Sequence, residues 1–341
     1  MKTKLIICLL AAALCAQASA PKAAAATMKA IVLHKYGSPE ALTYEDTARP
    51  EPKDDEVLIR VVAASVNPVD VATRSGKYAQ YFHTRLPLIP GMDAAGVIEK
   101  AGSKITGLKA GDAVYAFFTL QGEGGYAEYV VAKENEVARK PSAITYEQAA
   151  AVPAVGSTAW QALMDTAHLG AGQTVLIHGG SGGVGHMAIQ IAKARGARVI
   201  ATASTANQDF LKKLGADETI DYTKKKFQDV VKDVDVVLDA VGGETLAKSY
   251  GVVKKGGIIV TIADEPDAKE LEAHGIRGVS ISAAPKNDTF AELNRLIEEK
   301  KLNPVVTQVF PLAAAAKAQE QIATRHTRGK IVLRVSPDPK S

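Results

Sequence analysis

Residues 174–193, TVLIHGGSGGVGHMAIQIAK, decide the fold, because here a short apolar run meets a glycine cluster and continues as a helical pattern. A turn without Cβ atoms lets a pyrophosphate approach the main chain, and free N–H groups at a helix N-terminus bind its negative charge. We therefore predict a strand, a dinucleotide-binding turn and a helix; a purely structural turn is the alternative, because the G-x-G-x-x-G spacing is by itself a weak signal. The residues expected to contact the dinucleotide here are Gly180, Ser181, Gly182, Gly183, Val184 and Gly185.

Short apolar runs recur between helical patterns around and after this turn. Right-handed crossovers between such strands would build a doubly wound parallel sheet, with ligands at the carboxyl ends of the strands. The glycine turn follows the first strand at such an end. The predicted strands are residues 174–178, 198–202, 218–222, 234–239, 257–262 and 278–282.

A different pattern precedes this unit. Strands are predicted at residues 28–33 and 57–64, and apolar pairs alternate with glycine turns between residues 91 and 116. Several short strands joined in this way indicate a compact domain of the β-barrel type. Helix-forming residues become frequent from Thr145, and a domain boundary is expected near residue 150. Helices are predicted at 288–302 and 312–323, and a closing strand at 329–335 is expected to return to the first domain.

Composition and charge exclude several classes of protein. The chain has 341 residues, of which 47% are hydrophobic and 23% charged, enough for one large or two ordinary domains with a substantial core. The net charge of +4 comes from interspersed acidic and basic residues, which argues against a polybasic nucleic-acid surface.

The first 20 residues have the pattern of a secretory signal. Two lysines precede an apolar run at residues 5–14, and Ala18-Ser19-Ala20 has the form of a cleavage site. The run falls short of the ~20 residues that a bilayer span needs, so we expect export by a cleaved signal peptide and no stable span in the mature protein. The alternative is an uncleaved, cytoplasmic protein. Both cysteines, Cys8 and Cys15, lie in this segment, so the mature chain would have no thiol.

The end of the second nucleotide-domain strand indicates which cofactor is bound. In an NAD site a carboxylate about 20 residues beyond the turn holds the ribose 2′-hydroxyl. Here Ser204 and Thr205 follow the strand, and the next acid is Asp209. Their hydroxyls could donate to a 2′-phosphate, which favours NADPH over NADH. The alternative is that both residues cap the next helix.

A set of motifs extends the interpretation from a fold to a family. They are SVNPVDxxxRxGxY, PGxDxAGVI, KAGDAVYAF, GGYAEYVV, HGGSGGVG, AKxxGAxVI, LGADxxIDY, DVVLDAVGG and GKIVLRV. With them the chain resembles the zinc-free quinone oxidoreductase, zeta-crystallin-like, branch of the medium-chain dehydrogenase/reductase superfamily, from about residue 28 to residue 335.

The resemblance implies a GroES-like, β-barrel-type catalytic domain at 28–150, an inserted Rossmann domain at 151–285 and a return to the catalytic domain at 286–335. The implied reaction is NADPH-dependent hydride transfer to a small-molecule quinone or enone, in a homodimer joined near residues 278–282. Relatives bind the 2′-phosphate partly through a tyrosine that falls on Tyr222. They often also carry a lysine in the helix after the second strand, but here that position is close to Asn207, and this departure weakens the NADP preference without reversing it. Val241 and Gly242 are expected near the ribose.

Zinc, which other branches of the superfamily use, is not expected. A catalytic site would need Cys and His near Asn67 and in the Gly91-Met92-Asp93 segment, and a four-cysteine lobe cannot form without mature cysteines. We therefore predict a reductase that works without a metal.

Two residues are predicted to assist hydride transfer. By resemblance the Asn67 amide and the Tyr78 hydroxyl lie near the nicotinamide cleft, where they could polarise the acceptor or supply a proton. The structural alternatives are a helix cap for Asn67 and a pocket wall for Tyr78. Asp239 could act as a general base and Asp93 as an acid, but we expect Asp239 to order its neighbouring loop and Asp93 to stabilise a turn close to the cleft. A non-catalytic NADP(H)-binding redox sensor or structural protein remains the alternative function; the physiological acceptor and the proton donor are not specified by any motif.

Overall fold

The computed structural model describes residues 26–79, 85–119 and 123–338. The predicted signal peptide lies outside the described residues. No helix within the described ranges is long and apolar enough to cross a membrane.

The chain alternates between a strand-rich first part and an α/β second part. The strands are β1 (Thr27–Leu33), β2 (Leu42–Ala48), β3 (Glu56–Val66), β4 (Asp93–Ala101), β5 (Ala113–Phe117), β6 (Tyr129–Lys133), β7 (Val137–Arg139), β8 (Thr174–His178), β9 (Arg198–Ala203), β10 (Glu218–Asp221), β11 (Val234–Asp239), β12 (Val253–Thr261), β13 (Arg277–Ser280), β14 (Val306–Pro311) and β15 (Lys330–Arg334).

Most helices lie in the second part of the chain. Proline occupies the first turn of α1 and of α3, where its missing N–H costs nothing. A π-helical segment, Gln161–Thr166, continues α3. The helices are α1 (Pro68–Arg74), α2 (Tyr146–Ala150), α3 (Pro153–Trp160), α4 (Gly183–Ala194), α5 (Gln208–Lys213), α6 (Gly243–Ser249), α7 (Ala268–His274), α8 (Asn287–Glu298) and α9 (Ala315–Ala323).

The nucleotide-domain sheet is entirely parallel and has the order β10-β9-β8-β11-β12-β13. Chain order therefore reverses between β8 and β11. Both strands are buried along most of their length, as expected for a parallel sheet that is covered on both faces. Ligands bind at the carboxyl edge beside such a reversal, and the glycine turn after β8 lies there.

The first domain is completed by the end of the chain. β15 pairs antiparallel with β3 and parallel with β14. In this way β14 and β15 extend the sheet that β3, β4, β5, β6 and β7 form. The apolar pattern does not predict β14 or β2, because both strands are largely exposed and polar. As a result, the segment that precedes β15 is brought against the glycine turn.

Candidate functional site

The glycine turn closes tightly between β8 and α4. Gly179 has φ +69°, which favours glycine, and the N–H of Gly182 donates to its carbonyl at 3.0 Å. A Cβ at Gly185 would lie 2.2 Å from the Gly179 oxygen, so helix and turn can approach this closely only without a side chain. A Cβ at Gly182 would meet nothing nearer than 3.4 Å. Of these two glycines, only Gly185 is therefore required by the protein's own packing.

The N-terminus of α4 has the properties of an anion site. Its first N–H groups have no partner within the helix, and its first turn carries no acidic residue. The helix begins at Gly183, next to Val184, and the turn that leads to it has an open side at Gly182. These features fit the pyrophosphate of a dinucleotide.

The loop after β11 lies beside this turn. The Asp239 carboxylate accepts hydrogen bonds from the N–H groups of Val241 at 3.0 Å and Gly242 at 3.0 Å, so it orders the loop. Val241 is 48% exposed, and a Cβ on Gly179 would lie 3.4 Å from its side chain. The two residues predicted near the ribose thus lie at the same sheet edge as the glycine turn.

The loop after β9 has a polar surface but also a neighbouring acid. Thr205 donates through its hydroxyl to Asp221 at 2.5 Å, and Ser204 accepts from the Asn207 amide at 3.2 Å. Asp221 ends β10, directly opposite Ala203 in the parallel register. The sequence of β9 and its following loop does not indicate this carboxylate, because it belongs to the next strand. The hydroxyl of Thr205 holds the pKa of Asp221 below its usual value, and Tyr222, next along the chain, is exposed.

A second charged residue at this loop is Arg328. Its Nε donates to Asn207 Oδ1 at 2.7 Å and its Nη2 to the Ala206 carbonyl at 2.8 Å, and its guanidinium lies 5.2 Å from the Phe210 ring centroid. Neither of these two hydrogen bonds uses Nη1. Arg328 is 121 positions from Asn207 in sequence, so no local pattern indicates the contact. The structure thus places a cation where a lysine is lacking near Asn207.

The same segment continues to a buried lysine. Gly329 donates its N–H to the Ser181 carbonyl at 2.8 Å, which joins the segment to the glycine turn. Lys330, only 2% exposed, donates to Asn67 Oδ1 at 2.6 Å and to the Val66 carbonyl at 3.0 Å. An ammonium group only donates, so this contact sets the orientation of the Asn67 amide.

Asp93 completes a buried network around that amide. Its carboxylate accepts from the Ser65 hydroxyl at 2.6 Å, from Asn67 Nδ2 at 2.7 Å and from the Ala154 N–H at 2.7 Å. The amide therefore bridges the cation of Lys330 and the anion of Asp93. Burial raises the pKa of Asp93 and lowers that of Lys330, and in each case the opposite charge counteracts the effect.

The network limits what Asn67 can do for a substrate. Its oxygen is occupied by Lys330, and one of its two amide hydrogens by Asp93. Its second amide N–H has no partner in the part of the chain that the structure describes, which leaves that group for a nicotinamide or an acceptor. The role of Asn67 in hydride transfer stays a prediction. The same holds for Tyr78, which lies half-buried after α1, with the Lys77 ammonium 5.6 Å from its ring centroid.

Two histidines that flank the glycine turn have structural partners. His178 lies between the hydroxyls of Thr202 and Ser249, both at 3.1 Å. His186 donates through Nδ1 to the Gly182 carbonyl and accepts from the Val305 N–H. Burial lowers the pKa of His178 to about 3 and that of His186 to about 4. Both side chains are therefore neutral near pH 7 and stabilise the elements around the turn.

The described ranges contain no group of three His, Cys, Asp or Glu side chains that could hold a metal ion. At the positions considered for zinc, Met92 packs against the core and Asp93 is engaged with Ser65, Asn67 and Ala154.

Known proteins resemble the chain over nearly its whole length. Residues 53–142 match a family described as alcohol dehydrogenase GroES-like domain, and residues 214–333 match one described as zinc-binding dehydrogenase. The NADPH-dependent alkenal/one oxidoreductase, chloroplastic, of Arabidopsis thaliana is 40% identical over 329 residues, which cover 93% of this chain and 81% of that relative. The quinone oxidoreductase of Sus scrofa is 35% identical over 324 residues, which cover 90% and 97%. The solved structure of the quinone oxidoreductase from Coxiella burnetii has a TM-score of 0.84 at 36% identity and covers 91% of this chain and 100% of that one.

Proposed function

Because the chain belongs to the quinone oxidoreductase branch of the medium-chain dehydrogenase/reductase superfamily, we propose that it is an NADPH-dependent reductase of quinones or α,β-unsaturated carbonyl compounds. The observation that carries the proposal is the glycine turn, which has an open side at Gly182 and is tied through Gly329 to the buried Lys330–Asn67 pair. When bound, the cofactor supplies the hydride. The protein binds it at the carboxyl edge of the parallel sheet.

Each part of the edge has its own task in this proposal. The glycine turn and the first turn of α4 bind the pyrophosphate, and Val241 and Gly242 line the ribose side. Ser204, Thr205 and Tyr222 surround the adenosine end, together with Arg328. The Asn67 amide, oriented by Lys330 and Asp93, presents its remaining N–H toward the acceptor.

The preference for NADPH rests on Arg328 in addition to the two hydroxyls. A guanidinium matches the geometry of a phosphate and is the charge that NADP sites commonly use. Asp221 would repel a 2′-phosphate, but its carboxylate is bonded to Thr205 and has the Lys224 ammonium at 3.6 Å. We expect the arginine to outweigh it.

Further parts of the proposal concern the setting of the enzyme. Hydride transfer proceeds without zinc, since Asn67, Met92 and Asp93 stand at the positions considered for zinc ligands and supply neither a thiolate nor an imidazole. The protein forms a homodimer through the edge strand β13, and its N-terminal 20 residues direct export. Analytical ultracentrifugation and N-terminal sequencing of secreted protein test these two points.

The function itself is tested by titrating the purified protein with NADPH and NADH by fluorescence. Turnover is then followed with 1,4-benzoquinone, with an enone and, in reverse, with an alcohol. We expect tighter binding of NADPH and its oxidation by the quinone or the enone. NADPH binding without turnover on any acceptor would favour a redox sensor, and a protein that binds neither nucleotide would be neither enzyme nor sensor of this kind.

Replacing Arg328 by alanine is expected to weaken NADPH binding about tenfold, because a charge-assisted contact to the 2′-phosphate is lost at an exposed site. The affinity for NADH, which lacks that phosphate, should change less than twofold. Fluorescence titration of both nucleotides measures the ratio. Arg195→Ala, an exposed arginine at the far end of α4, is the control and should leave both affinities unchanged. An equal loss for NADPH and NADH would show that Arg328 only stabilises the loop.

A further inference from the structure

A small cavity of mixed polar and apolar lining lies beside the buried network. Its polar side chains are Asp70 and Thr73 of α1 and Thr119, and the other lining residues are Leu88, Ile89, Pro90, Gly91, Met92 and Gly124. The cavity volume is about 20 Å³, more than the roughly 10–15 Å³ that one water requires. Met92 is the neighbour of Asp93, whose carboxylate holds the Asn67 amide. The cavity therefore adjoins the buried network around the Asn67 amide.

The cavity contains an unused hydroxyl. Thr73 is 7% exposed, and its Oγ1 has no hydrogen-bond partner among the described residues. A buried hydroxyl without a partner costs free energy unless a water completes it. Because Asp70, Thr73 and Thr119 offer polar groups among the lining residues and the cavity has room for one molecule, a water bonded to Thr73 is the expected occupant.

Among the described residues, Asp70 accepts hydrogen bonds at one of its two carboxylate oxygens. The Asn67 N–H at 2.8 Å and the Tyr126 hydroxyl at 2.9 Å both donate to Oδ2. The second oxygen, Oδ1, is used by neither donor. Asp70 is 1% exposed and lines the cavity, so a water held there is its route for exchanging a proton.

We propose that Asp70 is the proton reservoir of the reduction, and that it delivers a proton through a water at Thr73 to the carbanion or enolate that hydride transfer generates on an enone. This inference rests on the proposed function and names its missing proton source.

A hydride adds to the β-carbon of the enone, the C=C π-bond breaks and its electron pair moves onto the enolate. The Asp70 carboxylic acid then loses its proton to the cavity water as that water gives one to the enolate. Solvent reprotonates the carboxylate before the next turnover. Reduction of a quinone yields a hydroquinone anion, which is stable enough to take its proton directly from solvent.

The surroundings of Asp70 suit this role. Burial raises the pKa of Asp70 to about 7, against lowering by the Asn67 N–H and the Tyr126 hydroxyl; Asp93 on β4 raises it further and Lys330 on β15 lowers it. Burial lowers the pKa of Arg74, on the same helix, and the carboxylates of Glu40 and of Glu320 on α9 counteract this effect. A carboxyl with a pKa near the working pH can both give and regain a proton.

Asp70→Asn tests the proposal, because asparagine keeps an acceptor oxygen for Asn67 and Tyr126 but carries no exchangeable acid. In the wild type we expect kcat for an enone to fall tenfold per pH unit above about pH 7. In the variant kcat should drop roughly 100-fold and lose this inflection, with the Kd for NADPH changed less than twofold and quinone turnover retained. Ser75→Ala, at the exposed end of the same helix, is the matched control and should behave as the wild type.

A readout without turnover accompanies the kinetics. Carbon-13 NMR of aspartate-labelled wild-type protein without cofactor should show one carboxyl that titrates near pH 7, and its resonance should be missing from the variant. Thr73→Val keeps the acid but removes the water's partner, and should lower enone turnover several-fold while quinone turnover is unchanged.

A folded Asp70→Asn protein with the enone rate and pH profile of the wild type would overturn the proposal. So would the absence of a carboxyl titrating between about pH 5.5 and 8.5. If the variant does not fold, the NMR titration and Thr73→Val decide. A wild type that does not oxidise NADPH with any of the acceptors would refute the proposed function instead, and the NMR result would still stand on its own.

Discussion

Replacing Gly182 by valine is expected to abolish NADPH binding while the protein remains folded. A Cβ at this position meets only the Gly179 carbonyl, at an ordinary 3.4 Å, and the backbone is extended, with φ −78° and ψ −176°, which a valine adopts readily. The protein therefore accepts the side chain, at a cost of about 1 kcal/mol for a less favourable N-cap. A pyrophosphate bound to the main chain of the turn leaves no room for that side chain. We expect at least a 100-fold loss of affinity for NADPH, about 2.7 kcal/mol.

Gly185→Ala is the matched comparison, because it adds a smaller group at a position that the protein itself needs empty. Its Cβ would lie 2.2 Å from the Gly179 oxygen and 2.7 Å from Gly180 Cα. This overlap should cost roughly 1–3 kcal/mol of stability. Thermal unfolding and NADPH titration of both variants separate the two effects. Unchanged NADPH affinity in Gly182→Val would mean that the cofactor does not approach the turn here.

Replacing Lys330 by methionine is expected to cost about 3–5 kcal/mol of unfolding free energy, because it leaves a buried anion without its cation. Asp93 is 0% exposed, and the Asn67 oxygen would lose its 2.6 Å bond. The pKa of Asp93, already raised by burial, should rise further without Lys330. A buried acid whose pKa is raised in the folded protein destabilises the folded state increasingly as the pH rises above the pKa that the acid has in the unfolded chain. The loss should thus be larger at pH 8 than at pH 5.

Urea unfolding at both pH values measures this prediction. Lys248→Met is the control, since Lys248 forms an exposed pair with Glu244 at 3.2 Å on α6, and such pairs contribute about 0.3–0.5 kcal/mol. If Lys330→Met lost no more stability than Lys248→Met, or lost it equally at both pH values, Asp93 would be neutral in the wild type.

The elements predicted from sequence are those whose pattern is local. A glycine cluster after an apolar run specifies the turn and α4, and recurring apolar runs specify β8, β9 and β11 to within a few residues. The motifs around them were sufficient to identify the family. Asp239 orders its loop, as expected, because its partners Val241 and Gly242 are only two and three positions away.

The missed residues have partners far away in the sequence. Asp221 reaches Thr205 through strand pairing, and Arg328 meets Asn207 across 121 positions. Lys330 belongs to a motif that the sequence assigns only to a closing strand, and nothing local shows that its ammonium reaches Asn67, 263 positions earlier. Asp70 is visible in sequence merely as a residue in the first turn of a helix.

The sequence by itself determined the dinucleotide turn, the parallel sheet that carries it and the family, because backbone geometry and apolar periodicity are properties of neighbouring residues. Only the tertiary structure decided which charges surround the site. The return of β15 to β3 brings Arg328 to the loop after β9 and buries Lys330 against Asn67. Electrostatic interactions depend on distance in space, and burial strengthens them. The charges of this site therefore come together only when β15 pairs with β3.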